Sequence, residues 1–184
     1  GLLKTDLSIL GRPLKFENST LFIDTAGCGY DETLNKETLS TFNQDEAHFT
    51  INQLNKFVIG INKPEDYSYA IIAPYKAQVE LLRYFLSELK YPPVIFKRIS
   101  INSVDAFQGQ ERDIVFISLT RSNTKGIIGF LSEEKRLNVA MTRAKYKLLL
   151  IGDSATLSKN IFFDKLIQHY QLENNYKSAF EFLY

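Results

Sequence analysis

The stretch Tyr69-Ala-Ile-Ile-Ala-Pro-Tyr-Lys-Ala-Gln-Val-Glu-Leu-Leu-Arg-Tyr-Phe-Leu-Ser-Glu-Leu89 decides the fold. Its first five residues are apolar without alternation, which is the signature of a strand covered on both faces. Pro74 ends that run. From Lys76 the period changes: Leu82, Phe85, Leu86 and Leu89 return at helical spacing and share one face. Tyr91-Pro92-Pro93 then stops the helix.

The same alternation runs outward in both directions. Upstream, Leu21–Asp24 is a short strand candidate, followed by a polar loop from Thr25 to about Asn43 and a helix over Asp45–Ile59. Downstream, strands are predicted at Lys97–Asn102, Ile114–Leu119 and Lys147–Ile151. Helices are predicted at Glu133–Ala144, capped by Ser132, and at Ala155–Tyr170. Strands alternating with helices predict an α/β fold, a parallel sheet sandwiched by helices. Ligands of such sheets gather at the carboxyl ends of the strands. That singles out Asp24, Pro74-Tyr75, Ser103–Glu111, Thr120–Asn123 and Gly152-Asp153.

Composition bounds the function. The 184 residues suit one domain, read here as 21–184 behind a connector at 1–20, and Gly1 in place of Met reads as a fragment. A net charge of +1 excludes a uniformly basic nucleic-acid coat but not a local basic groove. The single cysteine, Cys28, excludes an internal disulfide and a multi-cysteine zinc cluster, and it fits an intracellular setting. Cys28 lies between two glycines and reads as a small packed residue, while His48 and His169 lack partners at ligand spacing. No metal site is expected. No apolar run approaches the roughly 20 residues of a membrane span.

Two segments have the composition of a chemical site. Ser103-Val-Asp-Ala-Phe-Gln-Gly-Gln-Glu-Arg-Asp113 lies between strands and offers hydroxyl, amide and carboxylate groups. Its residues alone fit a ligand loop or a hydrophilic turn equally well. In the helix over Glu133–Ala144, Leu137, Ala140, Met141 and Ala144 form the apolar stripe, and Arg136 and Arg143 would share a face two turns apart. A fixed arginine stabilises charge on a transferring phosphoryl group, but surface arginines also serve in ion pairs, and spacing alone favours the ion-pair reading. Nowhere does the chain read Gly-x-x-x-x-Gly-Lys-Ser/Thr, so it has no phosphate-cradling loop of that type.

Taken in order, Ser103–Asp113 and Arg136-Leu-Asn-Val-Ala-Met-Thr-Arg-Ala144 resemble motifs V and VI of superfamily 1 nucleic-acid helicases. The similarity is to the branch holding the up-frameshift RNA helicase and the immunoglobulin mu-binding helicase. Phe22-Ile-Asp-Thr-Ala-Gly-Cys-Gly29, Asn43-Gln-Asp-Glu-Ala47, Ala73-Pro-Tyr-Lys-Ala-Gln78 and Leu119-Thr-Arg-Ser-Asn123 agree with that branch in the same order, and Tyr176–Phe182 resembles the tail of the mu-binding group.

The resemblance implies a RecA-like fold of the P-loop NTPase class. It implies the second helicase domain, which lacks the Walker A loop, in a monomeric protein that moves 5′ to 3′ on single-stranded DNA or RNA. ATP with Mg²⁺ would be held by a missing N-terminal RecA-like domain. Carried over residue by residue, Arg143 is the implied arginine finger. Glu111, Gly109, Gln108 and Arg136 are implied at the nucleotide, with Arg136 and Asn138 supporting the finger. Ser103, Pro74, Tyr75, Gln78, Arg121 and Asn123 are implied at the nucleic acid. One departure is Gln44, where some relatives carry a second arginine. A binding or regulatory module with the same fold but no motor is the alternative.

Overall fold

The computed structural model describes residues 19–183. The connector assigned to 1–20 therefore lies, but for its last two residues, outside the described residues. In chain order the strands are β1 (Thr20–Asp24), β2 (Thr33–Leu34), β3 (Thr41–Phe42), β4 (Tyr69–Ala73), β5 (Ile99–Ser103), β6 (Arg112–Ser118), β7 (Ala144–Gly152) and β8 (Tyr176–Ser178). The helices are α1 (Gln44–Gly60), α2 (Lys76–Glu88), α3 (Pro93–Phe96), α4 (Glu134–Met141), α5 (Ser154–Leu157) and α6 (Ile161–Leu172).

Six strands form one sheet in the order β5-β4-β6-β7-β1-β8, and β2 and β3 form a small antiparallel hairpin. Every pairing in the large sheet is parallel. The all-apolar run of β4 is explained by its place between β5 and β6, buried on both faces. Alternate strand residues feed two cores. Ile23, Ile71, Ile114, Phe116 and Ile151 pack with Leu54, Val58, Leu82 and Leu86 of α1 and α2. Phe22, Ile72, Val115, Leu148 and Leu150 pack with Leu137 and Met141 of α4 and Phe163, Leu166 and Tyr170 of α6. The α/β sandwich read from the sequence is the observed fold.

Several expected boundaries move, each for a local reason. Strand Lys97–Asn102 becomes Ile99–Ser103 because Pro93 starts the short helix α3 instead of merely ending α2. The helix expected over Glu133–Ala144 is only Glu134–Met141, with Ala144 already in β7. Ser132 does not cap it, since its Oγ donates to the Gly129 carbonyl at 2.8 Å and Glu133 stands at the N-cap position without a side-chain bond. The helix expected over Ala155–Tyr170 divides into α5 and α6, because Asn160 accepts from the backbone N–H groups of Phe162 and Phe163 and restarts it.

The connection from β5 to β6 is unusually direct. Residues 104–111 pass over β4 with a single 3₁₀ turn at Asp105–Phe107, where a helix would normally make the crossover. Buried Phe107 pins this bridge to the α4–α6 side of the sheet, and the Arg112 guanidinium lies 5.2 Å from its ring centre.

Candidate nucleotide and nucleic-acid site

The sequence candidates divide between the two ends of the sheet. At the carboxyl end they form a closed knot. Asn43 caps α1, its Oδ1 accepting from Glu46 N at 3.0 Å and its amide donating to Tyr30 and Thr120 carbonyls. Gln78 reaches back to it, accepting from Asn43 N at 2.8 Å and donating to Asn43 O and Ser118 Oγ. Ser118 Oγ in turn donates to Glu46 Oε1 at 2.6 Å, and Thr120 N donates to the same oxygen at 2.8 Å. Glu46 is fully buried and its Oε2 has no partner among the described residues. Burial pushes its carboxyl up to about 7, with Asp153 and Glu32 adding to the rise and the Ser118 and Thr120 bonds opposing it.

Arg121 makes a two-pronged pair with Glu32, Nε to Oε2 at 2.9 Å and Nη2 to Oε1 at 2.8 Å. Its Nη1 donates to Tyr75 Oη at 2.9 Å, and Tyr75 donates to Ile128 O. Ser122 N and Asn123 Nδ2 also donate to Glu32. Three residues expected to line a nucleic-acid groove are held inside the domain. Gln78, Tyr75 and Arg121 are buried, and their polar atoms are consumed within the domain. Asn123 is half-buried, tied to Glu32 and Ile127, at the edge of a hollow of about 370 Å³ that Thr25, Asp153 and Lys159 also line. Glu32, the hub of this knot, was invisible in the sequence, where it is one acid in a long loop without periodicity. Burial, and after it Asp24 and Asp153, push the Cys28 thiol up, away from thiolate reactivity.

Pro74 and Ser103 behave differently. They sit side by side at the carboxyl ends of β4 and β5 and line one hollow with Val104, Phe130, Leu137 and Arg136. Ser103 Oγ accepts from Ala106 N at 3.3 Å, starting the bridge of residues 104–111. A second hollow of about 220 Å³, lined by Val104, Asp105, Gln108, Lys135, Arg136 and Val139, continues it.

Arg143 lies at the other end of the sheet, in the two-residue link between α4 and β7. The expected two-turn alignment with Arg136 does not occur, because the helix ends at Met141. The Arg136 guanidinium faces Glu133 at 3.0 Å and Asp105 at 3.5 Å and makes no contact with Arg143. Half-buried Arg143 is steadied by Val139 O, 3.0 Å from its Nε, and loosely by Thr142 Oγ1. No carboxylate pairs with it among the described residues. Asn138 is half-buried in α4, its carbonyl accepting from Thr142 N. The β6–β7 register sets Arg112 N against Arg143 O at 2.9 Å, which brings the end of the bridge beside the arginine. There Glu111 is exposed, 3.9 Å from Lys145, and Gly109 turns at φ +78°, a conformation glycine reaches without strain.

These segments lie on a six-stranded parallel sheet covered by helices, in a chain that reads no Gly-x-x-x-x-Gly-Lys-Ser/Thr loop. The family model described as AAA domain matches residues 6–155, and the chain belongs to that family, among the superfamily 1 helicases of the up-frameshift type. It is 39% identical over 163 residues to the DNA-binding protein SMUBP-2 of Mus musculus, covering 89% of this chain. It is 39% identical to Helicase sen1 of Schizosaccharomyces pombe over 76% of the chain. It is 35% identical to the Regulator of nonsense transcripts 1 homolog of Drosophila melanogaster over 84% of the chain. The chain spans only 16%, 8% and 13% of those three proteins respectively. Among the described residues no helix is long and apolar enough to cross a membrane.

Proposed function

We propose that this chain is the C-terminal motor domain of an ATP-dependent helicase, giving an arginine finger to a nucleotide held by a preceding RecA-like domain and half of a groove to a single strand. The observation that carries the reading is Arg143: a guanidinium held by backbone and hydroxyl oxygens, with no carboxylate among the described residues to neutralise it, at a rim of the sheet. An arginine kept for the fold alone would be expected to pair as Arg121 does.

The chain has no phosphate loop, so ATP and its Mg²⁺ belong to the missing domain, and the bound nucleotide supplies the phosphoryl group. The part of this chain is electrostatic. With Nε engaged by Val139 O and Nη2 only loosely by Thr142 Oγ1, the Arg143 guanidinium is a pre-oriented cation, the form in which arginine stabilises developing phosphoryl charge. Glu111, Gly109 and Gln108 stand at or near the same corner, at the end of the bridge that starts from Ser103, and form the nucleotide side. Pro74 and Ser103 form the strand side, with Arg136 between the two. Movement is 5′ to 3′. The protein is monomeric and lies inside the cell.

ATP turnover of the full-length protein, with and without single-stranded DNA or RNA, tests this. Arg143→Ala is expected to lower strand-stimulated turnover by about 10³-fold with ATP still bound. Normal turnover in that variant would make Arg143 a structural residue, and a wild type indifferent to strands would favour the non-motor module.

A further inference from the structure

Phe130 is 57% exposed, an unusual state for a phenylalanine that has a core within reach. Its position is built. The ring rests against Tyr75 with centroids 5.7 Å apart, and Tyr75 is itself fixed by Arg121 and the Ile128 carbonyl. The 3₁₀ turn Gly129–Ser132 that carries it is seated by Gly129, at φ +53°. A Cβ at Gly129 would fall 2.5 Å from Arg121 Nη1 and 2.6 Å from Tyr75 Oη, so only glycine lets the turn settle onto the Arg121–Tyr75 pair. The knot beneath thus presents one aromatic face outward.

That face stands at the head of a trough. Phe130 lines the first hollow with Pro74, Ser103, Val104, Leu137 and Arg136. The second hollow, sharing Val104, Asp105 and Arg136, continues it to Lys135 and Val139. The floor is apolar, and the rim carries the Ser103 hydroxyl, the cations of Lys135 and Arg136 and the carboxylates of Asp105 and Glu133. Arg136 is occupied by Glu133 and Asp105, but exposed pairs of this kind are weak enough for a phosphate to displace. Flat apolar faces alternating with anions are the chemistry of a single-stranded nucleic acid.

We infer that Phe130 is a stacking platform for one base of the strand, with Tyr75 as its buried support rather than a contact residue. This rests on the reading of the Pro74–Ser103 trough as the strand side of a helicase domain. It relocates the aromatic contact by one layer: the ring that meets the base is the exposed one, and Tyr75 holds it in place.

The test is fluorescence anisotropy of the full-length protein with labelled oligo-thymidylate, oligo-uridylate and an abasic strand of equal length. Phe130→Ala is expected to weaken binding of both base-bearing strands roughly ten-fold and to leave the abasic strand unchanged, with Phe130→Trp restoring the loss. Equal weakening of all three strands, or of none, overturns the inference. So does a Phe130→Ala variant whose melting temperature or strand-free ATP turnover falls, since the ring would then be covered by protein. A wild type that binds none of the strands defeats the helicase reading itself, and is thereby told apart from failure of the stacking contact alone.

Discussion

Arg121 and Arg143 are both arginines of helicase-like motifs, and the domain treats them in opposite ways. Arg121 is buried, its guanidinium shared between the Glu32 carboxylate and Tyr75 Oη. Arg143 is half-buried, without an acid among the described residues, and bound to a carbonyl and a hydroxyl. The first spends its charge inside the fold, while the second has no acid beside it among the described residues, as the proposed finger role requires. The same contrast separates Gln78, locked between Asn43 and Ser118, from exposed Gln108. Membership of a motif does not tell a joist from a hand, but the list of satisfied atoms does.

The contrast can be broken most directly by alanine at each arginine. Arg121→Ala leaves the largely buried Glu32 carboxylate without its cation, held only by Ser122 N and Asn123 Nδ2, which should cost about 3 kcal/mol and lower the melting temperature by roughly 10 °C in a domain of this size. Arg143→Ala should cost less than about 0.5 kcal/mol by the same calorimetry while turnover collapses. Equal melting temperatures for the two variants would erase the distinction.

A finer probe is the pH dependence of stability. The Glu46 carboxyl titrates near 4.5 when unfolded and at about 7 when folded. The folded state therefore holds a proton that the unfolded state releases. The associated stability is fully present below 4.5 and is lost as pH rises to about 7. Glu46→Gln should flatten that slope, worth on the order of 3 kcal/mol across the window, in urea melts taken pH by pH. An unchanged slope would place the titration elsewhere in the knot. The smallest effect is expected at the open corner: Glu111→Gln, which weakens only an exposed contact with Lys145, should shift stability by less than about 0.5 kcal/mol in the same melts.

The sheet was legible because its strands announce themselves. Tyr69–Ala73 and Ile114–Ser118 are apolar runs that only a doubly covered strand accommodates, and Pro74 marks an end no tertiary contact can move. Less legible were elements whose cause is remote in sequence. β8 is a three-residue edge strand of mixed polarity, placed by pairing with β1. The site was legible as a set of motifs but not as a division of labour. Nothing local to Tyr75 or Gln78 says that Arg121 or Asn43 will close over them, because those partners lie 46 and 35 residues away. Phe130 escaped notice for the converse reason: its exposure is imposed by Gly129 meeting Tyr75 from the β4–α2 junction and Arg121 from earlier in its own loop.

The bridge of residues 104–111 has a mechanical consequence. Eight residues span at most about 28 Å fully drawn out, and this stretch spends three of them on a 3₁₀ turn while crossing from the carboxyl rim of β5 to the amino rim of β6. It is a short covalent strap between the two rims, from Ser103 to Arg112, whose N–H bonds the Arg143 carbonyl. A shift at Ser103 therefore has few residues over which to be taken up before it reaches that corner.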